Sequence, residues 1–221
     1  MAKMKTRWGL GVWAATAVIC LTATTIATAA PLDSRDAAIA ALRSEEPESR
    51  VEALTWLATQ GDTADLDNLA IALRDEHVGV SERAESALVE LWSRSGDRTI
   101  DDLLLDGIRQ MNDGHIGQAV DTFSRIVALK PDFAEGWNKR ATAYYLMGSY
   151  ELSLQDCDEV MRRNPYHFGA LSGYGMIYMR LGKLEEALTY FERALEVNPN
   201  LDGVQSSVDL LRQRLGRRQS T

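Results

Sequence analysis

Cysteine is scarce in this chain: the 221 residues include only Cys20 and Cys157. A fold held together by several disulfides is therefore excluded. Proline is also rare, with five residues, and the absence of any long low-complexity run argues against a disordered chain. The apolar share of 45% and the charged share of 25% are typical of a globular protein stabilised by an apolar core.

Histidine is also scarce, with three residues, and the histidines form no recognisable site. His77, His115 and His167 lie at no metal-ligand spacing from one another or from Cys157. The sequence also has no phosphate-binding glycine loop and no Gly-x-Ser-x-Gly turn. It therefore predicts no catalytic residues, no metal site and no cofactor. The formal charge of −8 argues against nucleic acid as a partner.

The first 30 residues contain no acidic residue and have the pattern of a targeting segment. Basic residues at Lys3, Lys5 and Arg7 precede an uncharged stretch over residues 8–30. A basic start, an apolar core and small residues at the end, here Ala-Thr-Ala at 27–29, are typical of a cleaved signal peptide.

Residues 1–29 are therefore predicted to be a signal peptide, and the mature protein is predicted to be exported, with the periplasm as its location. The alternative is an uncleaved N-terminal anchor in the inner membrane, because 23 uncharged residues can cross a bilayer. A membrane contact is expected only in that second case.

A 34-residue period organises the second half of the chain. Two sets of residues recur at this interval. They are the prolines Pro131, Pro165 and Pro199 and the glycines Gly114, Gly148 and Gly182. A fixed period of this length is typical of stacked helical repeats. Each proline is expected to end a helix, because proline lacks a backbone donor, and each glycine allows the turn between two helices.

The same kinds of residue recur within units that begin at Ile100, Ala134 and Phe168, which we call units 1, 2 and 3. The eighth position is small, where two helices of one unit are expected to come closest. The residues there are Gly107, Ala141 and Gly175. Position 24 of the three units holds Phe123, Cys157 and Phe191. Because it aligns with two phenylalanines, Cys157 is predicted to be a buried packing residue; the alternative is a reactive thiol.

This pattern resembles the tetratricopeptide repeat (TPR), a unit of two helices joined by a tight turn. The resemblance implies an all-α fold, a right-handed α-solenoid with units at 100–133, 134–167 and 168–201. Residues 202–221 are expected to form a capping helix with a basic tail.

Residues 30–98 are also predicted to be helical, and they repeat weakly. Their pattern resembles two HEAT-type helical pairs, for which Ser49 and Ser81 are predicted N-caps. The alternative is a generic helical region that caps the repeat array.

The resemblance to TPR proteins also implies a binding surface on the concave face, which first-helix residues line. The predicted groove residues are Leu104, Ile108, Met111, Asn138, Thr142, Tyr145, Met176 and Met179. This mixture suits a partly apolar peptide or a partner helix. The alternative is that these residues pack against residues 30–98 or within the superhelix itself.

Some TPR proteins grip the carboxyl end of chaperones with a clamp of lysine, asparagine and arginine. That clamp is absent here, because Leu104, Ile108, Gly169 and Gly173 occupy positions that need polar or basic groups. The chain resembles the small exported TPR proteins of proteobacteria. We therefore expect a non-enzymatic scaffold or adaptor of the cell envelope, with a protein or peptide partner. The alternatives are a membrane-anchored adaptor and a regulatory subunit of an enzyme.

The targeting pattern generates a first prediction, which concerns the mature N-terminus. We expect protein recovered from the cell envelope to be soluble and to begin at Ala30, because small residues at 27 and 29 define the cleavage site. N-terminal sequencing measures this directly. An intact Met1 in the membrane fraction would instead favour the anchored form.

Overall fold

The structure, a computed structural model, describes residues 32–219, with side chains as far as residue 217. The predictions for residues 1–29 lie outside the described residues. The helices found in 32–219 are α1 (Arg35–Ala41), α2 (Pro47–Gln60), α3 (Leu66–Ala72), α4 (Val78–Trp92), α5 (Arg98–Asn112), α6 (Ile116–Leu129), α7 (Ala134–Leu146), α8 (Tyr150–Arg163), α9 (Phe168–Arg180), α10 (Leu184–Val197) and α11 (Asp202–Gln219), with a 3-10 turn at Thr63–Asp65. None of these helices is long and apolar enough to cross a membrane.

The predicted repeat units are confirmed as helical pairs. Units 1, 2 and 3 are α5–α6, α7–α8 and α9–α10, so the fold of this part is an all-α helical solenoid. The glycines between the paired helices have a positive φ, as at Gly114 with 80°. In unit 1 this conformation lets the His115 N–H donate to the Gln110 carbonyl at 2.8 Å, which closes the end of α5. The same bond closes α7 and α9 at 2.9 Å. Glycine is required there because other residues rarely adopt this φ.

The small residues at position eight lie where predicted, against the residue at position 24 of the same unit. A Cβ added to Gly175 would stand 2.5 Å from the Phe191 ring, and one added to Gly107 would stand 2.3 Å from the Phe123 ring. Both phenylalanines are buried. In unit 2 the pair is different but complementary, because the larger Ala141 accompanies the smaller Cys157, and both are buried.

Residues 32–97 form two helical pairs, α1–α2 and α3–α4, whose apolar residues form one buried cluster. Bidentate hydrogen bonds of 2.7 and 2.8 Å from Arg50 to Asp75 connect α2 with the turn after α3. The two predicted N-caps are wrong. Ser49 and Ser81 lie inside α2 and α4, whose N-caps are Glu46 and His77. Helix α2 begins earlier because Pro47 stands in its first turn, where proline is well accommodated.

The α1–α4 region shares its core with unit 3. Phe168, the first residue of α9, belongs to the same buried cluster as Leu54 and Leu88. At the end of α4, the Trp92 ring stacks on His167 with a centroid distance of 4.4 Å and an interplanar angle of 17°. We call the contacts of Trp92 with His167 and Phe168 the junction. The α1–α4 region is therefore continuous in packing with the repeat array.

Hydrogen bonds extend this packing to the turn after α10. Asn200 Nδ2 donates to the Leu73 carbonyl oxygen at 2.8 Å, and Arg74 donates to the carbonyl oxygen of Glu196. The two partners of each bond are more than a hundred residues apart in the sequence. The α1–α4 region thus lies beside the first turn of α9, the end of α10 and the turn that follows α10.

Helix α11 packs against α10 and covers the apolar side of unit 3, as predicted for a capping helix. Val208 and Leu211 are buried in a cluster with Phe191. Arg212 forms an exposed ion pair with Glu192 at 2.7 Å. Arg217 is exposed at the end of the helix.

The contact between Gly175 and Phe191 generates a stability prediction. Replacing Gly175 with leucine adds four carbons where the Phe191 ring already fills the space. We therefore expect the free energy of unfolding to fall by about 1–3 kcal/mol. The control is Gly117→Leu in α6, where an added Cβ meets nothing within 4 Å. Urea unfolding of both variants is the measurement. If Gly175→Leu unfolds at the wild-type midpoint, the packing of unit 3 is not as described.

Candidate functional site

Two neighbouring clefts lie along the first helices of units 2 and 3. The first, the α7–α9 cleft, is narrow, with a volume of about 50 Å³. Four of the predicted groove residues line it, namely Asn138, Thr142, Tyr145 and Met176. Its floor is made by small residues of both helices and of α8, namely Ala141, Ser153, Cys157, Gly169, Ala170 and Gly173.

The second cleft, the α9–α11 cleft, is wider, with a volume of about 460 Å³. Its apolar wall consists of Met176, Met179, Phe191, Leu201 and Val204. Polar residues complete it, namely Glu85 from α4 together with Ser172, Asn200, Asp202 and Ser207. Met176 lines both clefts and is 44% exposed. We call the two clefts together the groove, and Met176 is a residue that they share.

The three predicted groove residues of unit 1 lie elsewhere. Leu104 is 3% exposed and belongs to the buried cluster of α5 and α6, with Ile108 and Met111 packed against that cluster. Leu104 is therefore a core residue and not an accessible one. Its position in the repeat allowed both outcomes, because an apolar side chain on a helix face can line a groove or fill a core.

The polar groups of the α7–α9 cleft are held by local hydrogen bonds. Asn138 Nδ2 donates to Glu135 Oε2 at 3.0 Å, and Thr142 Oγ1 donates to the Asn138 carbonyl oxygen at 2.9 Å. The Tyr145 hydroxyl accepts a hydrogen bond from Arg180 Nε at 3.0 Å. The Asn138 side-chain oxygen accepts none within the described part of the chain, so it can receive a backbone N–H from a ligand.

A buried polar network lies beneath this cleft, and the sequence did not reveal it. His167 Nδ1 accepts the Ala170 N–H at 3.1 Å, which makes His167 the N-cap of α9. The proton of the neutral ring therefore lies on Nε2, which donates to Glu135 Oε2 at 3.0 Å. The Trp92 ring stacks on the face of the His167 imidazole. His167 thus connects α4, α7 and α9.

Glu135 is the charged centre of this network. Its side chain is only 5% exposed, yet its two oxygens contact His167, Asn138 and, at 2.9 Å, the Lys139 ammonium. Burial alone acts to raise the pKa of Glu135, but the hydrogen bond from His167, together with the charge and hydrogen bond of Lys139, outweighs burial and holds that pKa below its ordinary value. The carboxylate is therefore a structural anion of units 2 and 3.

Cys157 is 2% exposed, which confirms its prediction as a packing residue. Burial, supported by the charges of Asp156 and Asp158, raises the pKa of its thiol to about 12. A thiolate is the reactive form of cysteine, so nucleophilic chemistry at this residue is disfavoured. Among the described residues, no group of three or more histidine, cysteine or acidic side chains is arranged to hold a metal ion.

Two family models, each described as a tetratricopeptide repeat, match residues 104–168 and 168–201. A TPR repeat-containing protein of Rhizobium etli is 36% identical over 124 residues, which is 56% of this chain and 61% of that relative. Anaphase-promoting complex subunit 3 of Schizosaccharomyces pombe is 31% identical over 83 residues, which is 38% of this chain and 12% of that relative. The chain thus spans less than two thirds of the length of these relatives.

Solved structures agree with the family matches. The first TPR of Spaghetti (RPAP3), bound to the HSP90 peptide SRMEEVD, is 26% identical with a TM-score of 0.51, covering 53% of this chain and 93% of that one. The Sgt2 TPR domain from Aspergillus fumigatus is 18% identical with a TM-score of 0.54, covering 57% of this chain and 84% of that one, and supports the fold alone. Residues 104–201 thus match tetratricopeptide-repeat models, and units 1, 2 and 3 have the fold of a TPR solenoid.

The Glu135 network generates a prediction about pH. We expect Glu135→Gln to lower the free energy of unfolding by about 1–3 kcal/mol at pH 7, because His167 and Lys139 lose a charged partner. Because the pKa of Glu135 is lower in the folded state than its ordinary value of 4.5, the charged carboxylate stabilises the fold at pH values above 4.5. This contribution disappears as the pH falls through the folded-state pKa. The difference between wild type and variant should therefore shrink in acid.

Urea unfolding between pH 7 and pH 3 measures both effects. Glu151→Gln, which removes an exposed carboxylate of α8, is the control and should track the wild type. A constant difference between Glu135→Gln and wild type at all pH values would show that the charge of Glu135 does not stabilise the fold.

Proposed function

We propose that this protein is a non-enzymatic interaction scaffold that holds an extended segment of a partner protein in the groove formed by the two clefts. One observation carries the proposal: the first helices of units 2 and 3 bring Asn138, Thr142, Tyr145 and Met176 to one cleft, and Met176 and Met179 to its neighbour. TPR solenoids are protein-interaction modules, and the TPR of RPAP3 named above has a peptide bound.

The chemistry of the groove suits a peptide in extended form. Gly169 and Gly173 have no side chains, so a ligand backbone can come close to α9. Asn138 offers a free side-chain oxygen to that backbone. Met176 and Met179 adapt their shape to different apolar side chains because methionine is flexible and polarisable. Together these features support recognition of a short segment by its backbone and by a few side chains.

The groove is bordered by the α1–α4 region but not filled by it. Glu85 of α4 stands at the edge of the α9–α11 cleft, while Met176 remains 44% exposed. This favours a groove that is available to a partner over one that is occupied by the chain itself. Of the eight predicted residues, Leu104 is withdrawn from the proposed contact surface, and Ile108 and Met111 lie in unit 1, outside the two clefts.

We also propose that the scaffold acts in the cell envelope, after export directed by residues 1–29. The support for this is the basic, apolar and small-residue order of those residues. A membrane-anchored adaptor with the same groove is the alternative. The burial of Cys157 disfavours nucleophilic chemistry at that residue, which is consistent with a binding role.

The proposed groove generates a prediction about binding. We expect Tyr145→Ala and Asn138→Ala each to weaken capture of the partner by about 1–3 kcal/mol, since aromatic and well-oriented polar residues dominate such interfaces. Pull-down from the native envelope with each variant, followed by titration of the retained protein, is the measurement.

The matched control is Gln155→Ala, which removes an exposed amide from α8 and should leave capture unchanged. Circular dichroism and urea unfolding of all three variants separate lost binding from lost fold. Full capture by both groove variants would mean that the partner binds another surface.

A further inference from the structure

The charges that line the groove have a single sign. Glu85 and Asp202 are at the edge of the α9–α11 cleft, and neither cleft is lined by lysine, arginine or histidine. Basic groups nearby are already engaged: Lys139 pairs with Glu135, and Arg180 donates to the Tyr145 hydroxyl. The groove therefore presents two carboxylates and no free cation to a ligand.

We propose that the α9–α11 cleft receives a lysine or arginine side chain of the bound segment, with its charged end between Glu85 and Asp202. This inference rests on the proposed function, since it specifies what the same groove selects. The carboxylates supply charge complementarity, and the apolar wall of the cleft supplies a surface for the aliphatic stem. Long basic side chains bury their stems in this manner while their charged ends stay solvated.

Glu85 is held in place by the packing of the α1–α4 region. Its Oε2 accepts a hydrogen bond from Asn198 Nδ2 at 2.9 Å. Asn198 is 0% exposed and is itself fixed, because its Oδ1 accepts the Asn200 N–H at 3.0 Å. The second oxygen of Glu85, Oε1, has no hydrogen-bond partner among the described residues. A fixed carboxylate with one free oxygen is suited to accept a hydrogen bond from a cationic ligand.

Asp202 supplies the second carboxylate, from the first turn of α11. Its side chain is exposed and makes no ion pair within the described part of the chain. The same cleft is lined by Met176 and Met179, whose flexible thioethers can follow either a lysine or an arginine stem. The volume of about 460 Å³ is large enough for such a side chain.

This selectivity is opposite to that of the peptide bound by the RPAP3 repeat. That peptide, SRMEEVD, carries three acidic residues near its end. Acidic residues placed beside Glu85 and Asp202 would repel them, since like charges brought together at an interface disfavour binding. We therefore expect this chain to prefer a segment with a basic residue, despite its structural similarity to a TPR that binds an acidic peptide.

Methyl NMR of the full chain tests this inference with matched tripeptides. The probes are acetyl-Ala-X-Ala-amide with X as lysine, arginine, norleucine or glutamate, and the reporters are the Met176 and Met179 methyl groups. We expect the lysine and arginine probes to shift both methyl signals in a saturable manner. The affinity should be at least about five-fold higher than for norleucine and should fall with added salt.

Charge-removing variants locate the effect. Glu85→Gln keeps an acceptor for Asn198 and removes the charge, and Asp202→Asn does the same at α11; each should lower the affinity for the lysine probe. Asp209→Asn is the control, because it removes an exposed charge from α11 outside the cleft and should leave the affinity unchanged.

Two results would overturn the inference. Equal binding of the norleucine and lysine probes would show an apolar groove without charge selection, and the proposed scaffold function would stand. The absence of methyl shifts with every probe would show that the cleft is not a side-chain site. The proposed function is tested separately, through the effect of Tyr145→Ala and Asn138→Ala on partner capture, so the two failures are distinguishable.

Discussion

The stacking of Trp92 on His167 is the interaction on which the groove depends most. The pair brings the end of α4 to the first turn of α9, where His167 also caps the helix and donates to Glu135 of α7. One imidazole thus fixes three helices, each from a different part of the sequence. Because α4 is held in this way, Glu85 reaches Asn198 and borders the α9–α11 cleft. Without the junction, the groove would have walls from the repeat array and α11 alone.

The repeat array itself could be predicted from the sequence, because its rules are local. The 34-residue spacing of Gly148 and Gly182 reflects turns that require a positive φ. A small residue at position eight accompanies a large one at position 24 because the two helices of a unit are in direct contact there, as at Gly175 and Phe191. Each rule involves residues within one 34-residue unit, so a single sequence is enough to recognise it. Two helical pairs before the array were also predictable, although the starts of α2 at Pro47 and of α4 at Val78 were missed.

The parts that could not be predicted involve residues far apart in the sequence. The bond from Asn198 to Glu85 joins positions separated by 113 residues. No periodic pattern connects the two, because the 34-residue repeat begins at Ile100 and does not include α4. Leu104 shows a second limit. Its place in the repeat matches that of Asn138, yet its side chain enters the core of unit 1 while Asn138 borders a cleft. Side-chain polarity and neighbouring helices decide between these outcomes.

The α7–α9 cleft lies where the repeat departs from its own pattern. Units 1 and 3 place phenylalanine at position 24, whereas unit 2 has Cys157, which is among the residues lining the cleft. A phenylalanine ring at that position would occupy more of the space between α7, α8 and α9. Gly169 and Gly173 of unit 3 keep the opposite side free of side chains. Packing alone favours side chains that fill such a space. Residues that depart from the repeat pattern and leave the space open are therefore expected at functional sites. The irregular positions of units 2 and 3 therefore indicate the binding surface better than the regular ones do.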